Sequence, residues 1–394
     1  MSALLRIVAL VGALAATAVA QAGRHELGLR LRAFERHLAE VTEPERRDAA
    51  FAELERAVQA FFRLDLPKVA ARIDAADRAL AGRAFSARER WARSLQLELD
   101  ARLVDVDAES VGAELSAVWR ATDPDDDVAG AAADGAVLVV RLAEAAPTQR
   151  FPVQELPFVC ALRLEGVGPG DHRVQVAIED AGGAVLASRW QGLSVVRDLA
   201  ARFAAIEEAA EAVGRDTPET LETATLTALR GLLRVMQRGT PHETVLAGHE
   251  LLAEAERLVA AGDAKVYAQG HDGSFHLRVP VGRSAVSTRF FAPAVGEGRR
   301  PLVVALHGAG GSENLFFDGY GDGLCVALAR ERGWFVASPR NGMGGVDVPG
   351  LVDALAERYA IDRERVLLVG HSMGAAAAMA NAARAPGRFR AVAP

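Results

Sequence analysis

The sequence predicts a multidomain chain. An N-terminal helical bundle comes first, then a small β-sandwich, a further helical stretch, and an incomplete α/β domain with a mostly parallel sheet and helices on both faces. Three observations predict this order. Apolar residues recur at three- and four-residue steps in the first quarter of the chain. Between residues 135 and 198 they alternate or form short runs broken by turn residues. From Pro301 onward, short branched-apolar runs alternate with helical stretches, the pattern of a parallel sheet. The 394 residues suffice for about two to four domains.

Residues 1–22 read as an export signal. Arg6 and the amino terminus supply positive charge, Ile7 to Ala20 is apolar, and Ala18-Val19-Ala20 or Ala20-Gln21-Ala22 offers small residues for cleavage. An uncleaved anchor and a buried helix are the other readings of this stretch. Export implies a secreted or periplasmic protein. The two cysteines, Cys160 and Cys325, fall in different expected domains in apolar contexts, which predicts two free thiols rather than a bridge. The net charge of −7, with no dense Lys/Arg run, excludes a nucleic-acid footprint. Beyond the N-terminus no run of about 20 apolar residues is present to span a membrane.

Residues 23–122 are expected to be a helical domain. Phe51, Leu54, Val58, Phe61 and Phe62 share one helical face and are expected in its core. Thr42-Glu43-Pro44 starts that helix, and Ser86-Ala87-Arg88-Glu89 is a capping box ahead of Trp91, Leu95 and Leu97. Residues 123–134 are an acidic linker. Its Asp123-Pro124-Asp125-Asp126-Asp127 run lacks the ligand spacing and glycine of a calcium loop, so no metal is expected there.

Residues 135–198 are expected to form a β-sandwich-like domain. Ala136 to Val140 is an apolar run, Val174, Val176 and Ile178 alternate with polar or small neighbours, and Asp180-Ala181-Gly182-Gly183 is a turn. Residues 199–262 are helical again. Thr217-Pro218-Glu219 and Thr240-Pro241-His242-Glu243 each place Pro at a first helical position after a threonine cap. The α/β domain then takes up residues 263–394. It opens with a hairpin of Phe275–Val281 and Val286–Phe291 around Gly282-Arg283-Ser284, and Trp334–Ser338 is a later strand.

The chemistry concentrates in two stretches of this last domain. Pro301 to Leu306 is a buried-strand run that opens into His307-Gly308-Ala309-Gly310-Gly311-Ser312, a loop able to aim free backbone N–H groups into a site. Further on, Arg365 to Val369 runs into Gly370-His371-Ser372-Met373-Gly374, and an alanine-rich helix follows. Strand, tight turn with serine at its tip, then helix is the arrangement of a nucleophile elbow. Gly370 and Gly374 keep side chains out of a close strand–helix approach. In such a turn the N–H of the residue after the serine, here Met373, points at a developing oxyanion.

On these residues, and on Tyr359 to Val366 leading into the elbow, residues 264–394 resemble the first half of an α/β-hydrolase. The resemblance is to the secreted esterases related to polyhydroxybutyrate depolymerases and feruloyl esterases. It implies Ser372 as nucleophile, N–H donors from Gly308, Ala309, Gly310 and Met373, and supporting roles for His307, Gly370, His371 and Gly374. It implies no cofactor, and a small or polymeric carboxylic ester as substrate. Ala375 departs from the pattern, which often has another glycine there. In this fold the acid and histidine of the triad follow the serine. Asp347, Asp353 and Asp362 precede it, and residues 373–394 contain no Asp, Glu or His. The expectation is therefore a fragment, inactive as it stands, whose remaining triad members lie beyond Pro394. Asp318 and Asp322, in a glycine-rich loop after the oxyanion stretch, are candidates for a lid or substrate contact. Two other readings stay open: a prolyl-oligopeptidase-like serine peptidase, and a catalytically inactive exported binding protein. Oligomeric state is not specified by the sequence.

Overall fold

A computed structural model describes residues 23–119, 134–212, 220–294, 296–342 and 345–394. The expected signal, the aspartate run at 123–127 and Thr217-Pro218-Glu219 lie outside the described residues. The chain divides into two compact units. One runs up to Leu199 and includes Arg234–Glu250; the other joins Ala200–Leu233 to Leu251–Pro394.

The first unit begins with helices α1 (residues 23–40), α2 (Pro44–Phe62), α3 (Leu66–Ala81) and α4 (Ala87–Ser94). Their core holds Leu27, Phe34, Val69, Ile73 and Leu80 together with Ala50, Ala57, Ala60, Ala70 and Ala76. The alanines correct the expected core. Helix α2 buries its alanine face, which lets α3 approach closely, and Leu54 and Phe61 pack only at the edge. Phe51, Val58 and Phe62 face outward at 42%, 53% and 70% exposure. Hydrophobic periodicity weights Phe above Ala, whereas packing distance favours the smaller face.

The capping box forms as expected: Glu89 N–H donates to Ser86 Oγ at 3.2 Å and Ser86 N–H to Glu89 Oε2 at 2.7 Å. The helix it starts ends at Ser94, and three strands occupy the rest of the stretch that was expected to be helical. At Leu95 the backbone turns extended, and β1 (Leu95–Leu99) alternates buried and half-buried residues. Strands β2 (Leu103–Asp105) and β3 (Ser110–Ala117) follow. Leu95, Leu97 and Leu99 recur at period two, a strand signal that the helical reading overrode. The remaining strands are β4 (Ala136–Arg141), β5 (Gln149–Val153), β6 (Phe158–Arg163), β7 (Gly170–Glu179) and β8 (Val185–Val196). They form two sheets, β1-β3-β6 and β2-β8-β7-β4-β5. One core draws Leu97, Leu115 and Leu162 from the first sheet and Leu138, Val174, Val176 and Ile178 from the second, as in a sandwich. The expected turn at Asp180 is present, its Oδ1 accepting from Gly182 and Ala184 N–H at 2.8 and 2.9 Å.

Helices α5 (Leu199–Ala212), α6 (Leu221–Gln237) and α7 (Gly248–Ala261) fill the expected helical stretch. Thr240-Pro241-His242-Glu243, however, is not a helix start. Helix α7 begins at Gly248, whose N–H donates to Ser194 Oγ at 2.9 Å, while Asp171 accepts from His249 N–H at 2.9 Å. Side chains of β7 and β8 thus cap α7, and no local signal marks them.

The second unit carries a six-stranded sheet ordered β14-β13-β11-β12-β10-β9. Strands β9 (Gly273–Val281) and β10 (Ser284–Ala292) are the expected antiparallel hairpin. β11 (Arg300–Leu306), β12 (Phe335–Pro339), β13 (Ile361–Gly370) and β14 (Ala391–Ala393) are mutually parallel. Helices α8 (Leu324–Arg332), α9 (Val348–Ala356) and α10 (Met373–Arg384) alternate with them. Buried Glu222 anchors this unit. It accepts from both Arg358 guanidinium nitrogens at 3.0 Å and from Val266 and Tyr267 N–H at 3.1 and 3.3 Å. The order β12-β11-β13 matters most for the site. The chain leaves β11 for one neighbour and later returns to the other side, which makes the carboxyl ends of β11 and β13 a topological switch point, where open α/β sheets bind ligands.

Candidate active site

At that switch point the two motifs meet. Strands β11 and β13 end in register, with Leu306 opposite Gly370, and His371 N–H continues the ladder by donating to Leu306 O at 3.0 Å. The chain then reverses at Ser372, whose φ of 55° and ψ of −117° lie in the region that L residues avoid. Gly374 N–H donates to His371 O at 2.9 Å and Ala375 N–H to Ser372 O at 2.9 Å, which starts α10 within two residues. So sharp a turn leaves no room for side chains. A Cβ at Gly374 would overlap the Leu306 carbonyl oxygen, and one at Gly370 would lie 2.6 Å from Ala375 N.

Ser372 is exposed at the tip, and Met373 is the first residue of α10. Helix geometry gives the Met373 N–H no intrahelical acceptor, and among the described residues no backbone oxygen takes it. The loop after β11 lies directly alongside. A Cβ at Gly308 would stand 3.3 Å from Ser372 Cβ and 2.9 Å from His371 Nδ1, so only a bare backbone fits there. Ala309 and Gly310 are exposed, Gly310 at φ 79°.

The neighbouring histidines have other commitments. His307 is buried; its Nδ1 lies 2.8 Å from Gly308 O, and its Nε2 accepts from Asn341 N–H at 2.9 Å. Those roles fix the Nδ1–H tautomer and tie the loop to the end of β12. His371 Nδ1 lies 2.9 Å from Tyr320 Oη, with the two rings edge to face at 5.0 Å. Tyr320 comes from the loop that also holds Asp318 and Asp322. There Leu315–Gly319 forms a π turn, Asp322 takes φ 51°, and Asp318 lies 3.6 Å from Arg289. The acids before the serine are likewise engaged. Asp347 caps α9 through Gly350 N–H at 3.2 Å, Asp353 pairs with Arg388 at 2.7 Å, and Asp362 pairs with Arg365 at 2.6 Å. The Arg365 hydrogen bond, helped by Glu364 N–H, holds the Asp362 carboxyl below its ordinary range.

Several participants carried no sequence signal. Tyr320 reaches His371 across 51 positions. Glu313 and Arg340 pair at 2.6 Å, and the next residues, Asn314 and Asn341, are buried with side-chain amides that find no partner among the described residues. Among the described residues, no group of three or more His, Cys, Asp or Glu side chains is spaced to hold a metal. Cys160 and Cys325 are both free and half-buried, and burial raises both thiol pKa values. No helix among the described residues is long and apolar enough to cross a membrane.

Residues 349–394, from α9 through the elbow to β14, match the Esterase family model. No curated protein matches the chain. Solved structures with local similarity include an S-formylglutathione hydrolase from Agrobacterium tumefaciens (20% identity, TM-score 0.26, covering 33% of this chain and 58% of that one). An acetyl xylan esterase from Aspergillus awamori shares 23% identity at a TM-score of 0.24, over 27% of this chain and 45% of its own. An esterase from Pyrobaculum calidifontis shares 21% at 0.23, over 30% and 43%. The chain thus spans 43–58% of the length of these structures. The Esterase match falls on the segment that holds the Ser372 turn.

Proposed function

We propose that this chain is the nucleophile-bearing part of an exported serine hydrolase that cleaves carboxylic esters. In motif content it stands nearest the polyhydroxybutyrate depolymerase and feruloyl esterase type. The observation that carries the reading is Ser372 at positive φ on an exposed tip, with the glycine loop of His307 to Gly311 packed beside it. Ser372 Oγ attacks the acyl carbon, and the carbonyl oxygen becomes an oxyanion held by N–H groups of Met373 and the 308–310 loop. Its collapse breaks the bond to the alcohol oxygen, which leaves with the serine's proton. Water then hydrolyses the acyl-enzyme and regenerates Ser372.

This chemistry needs a base at the serine hydroxyl. His307 is held by the Gly308 and Asn341 backbone, and His371 by Tyr320. We therefore assign the base histidine and its carboxylate to residues outside these 394. The test compares a polypeptide extended through those residues with residues 23–394 alone, on a short-chain aryl ester. The extended protein is expected to turn over and to lose about 10⁴-fold or more in kcat as Ser372→Ala. Residues 23–394 alone are expected to be inactive. Turnover by them that vanishes in Ser372→Ala would reveal a local base and overturn the assignment.

A further inference from the structure

We propose that the outward face of α2 is a self-association surface on which a second copy of this chain packs its own α2, antiparallel, about a two-fold axis. The face is apolar at Phe51, Val58 and Phe62, with exposed Asp48 and Glu55 between and before them. Phe51, Val58 and Phe62 stand 42%, 53% and 70% exposed at spacings of seven and four, with Leu54 and Phe61 along their inner edge. Just past the helix end, Leu64 is 81% exposed and holds φ 59°. That position commonly carries glycine, because a side chain there strains the backbone. Here a large apolar side chain occupies a strained site and points into solvent. Apolar clusters of this kind on a folded chain mark interaction sites.

The charges select the occupant. Among the described residues, Glu45 and Asp48 at the start of the helix carry no ion pair, and neither do Arg63 and Lys68 at its end. On the flank, by contrast, Glu53 binds both Arg56 and Arg72. Arg47 at the start donates to the Leu38 and Val41 carbonyls and Asp65 at the end caps the next helix, so the remaining charge is a net acidic excess at one end and a net basic excess at the other. Asp48 and Arg63 are about 22 Å apart along the axis. An antiparallel copy at the usual ~8–10 Å interhelical distance sets each acidic end against a basic end, twice per dimer. A parallel copy would pair like with like. The same symmetry brings the two Glu55 side chains together near the axis, where their repulsion opposes association.

The full chain, studied by sedimentation velocity across about 1–100 μM, is expected to show a monomer–dimer equilibrium. Phe62→Ser should weaken it about tenfold or more with unchanged circular dichroism. Glu55→Gln should tighten it. Leu64→Gly should move two readouts oppositely: the thermal midpoint at low concentration rises as strain is relieved, while association weakens. The decisive arm is charge reversal. Asp48→Lys and Arg63→Glu should each weaken self-association alone, whereas an equimolar mixture of the two variants should associate as heterodimers at about wild-type strength. A chain monomeric throughout this range would overturn the proposal, leaving the face to a different protein. Dimers indifferent to Phe62→Ser, or single variants not rescued by mixing, would overturn it equally.

Discussion

Ser372 holds backbone angles that an L residue adopts only when its surroundings impose them. They are imposed by three contacts of bare backbone: Gly370 against the start of α10, Gly374 against the end of β11, and Gly308 against the serine itself. At Gly374 a methyl group would meet the Leu306 carbonyl, which is fixed in the sheet and cannot yield. Gly374→Ala is therefore expected to destabilise the second unit by about 1–3 kcal/mol and to displace the Met373 N–H. Chemical denaturation gives the first quantity; loss of Ser372 reactivity in the active polypeptide gives the second. A variant of wild-type stability would mean that the turn relaxes freely and holds no strain. At this scale the close backbone approaches at Gly370 and Gly374 were legible, because such an approach leaves its mark at fixed local spacing. Tyr320 and Asn341 were not, because each reaches the site through a contact made only once β11, β12 and β13 lie side by side.

Elements follow packing more than propensity, and α2 illustrates this. Its two apolar faces compete for the core, and the alanine face wins: Ala50, Ala57 and Ala60 share one buried cluster with Ala70 and Ala76 of α3. Residue pattern identified the helix but not its inward side. Strands β1 and β3 were lost to a helical reading because α4 directly precedes them and a capping box announces a helix without giving its length. That helix has eight residues, so its start carries much of its stability. Ser86 Oγ accepts from Glu89 N–H, and Glu89 returns the bond while also pairing with Arg83 at 2.6 Å. Ser86→Ala is expected to cost about 1 kcal/mol, with fraying limited to α4. Hydrogen exchange at the amides of 87–92 would show it; unchanged protection there would mean that tertiary contacts alone hold the helix. The start of α7 is the opposite case, since its cap is Ser194 and Asp171 from strands more than 50 residues away.

For the molecule as a whole, the parallel sheet was legible where helices and strands alternate, but the order β12-β11-β13 and its switch point were not, because strand adjacency is a tertiary pairing. The sandwich was legible only in its second half, since β1, β2 and β3 are separated from β4 by residues that read as helix and linker. Joining distant segments in one unit also buries titratable groups that sequence cannot rank. His25 is one. Its Nδ1 bonds the His242 carbonyl, while its Nε2 is buried without a partner among the described residues. Burial first, and the nearby Arg102 charge second, hold its pKa well below the ordinary value. Protonating it would place a second cation beside Arg102 with no acceptor for the new N–H. The unfolded chain therefore takes up this proton first. Stability is full above the ordinary histidine pKa of about 6.5 and declines as pH falls below it, by at most ~1.4 kcal/mol per pH unit from this group. Glu89 acts in a lower window. The Arg83 hydrogen bond holds it at about 2, so its contribution fades only below the ordinary carboxylate range. Urea midpoints measured from pH 7 to pH 5 are thus expected to fall in the wild-type chain and to fall less steeply in His25→Gln, which keeps a donor for the His242 carbonyl and cannot charge. Equal slopes in the two proteins would mean that solvent reaches His25 and that its burial leaves no mark on stability.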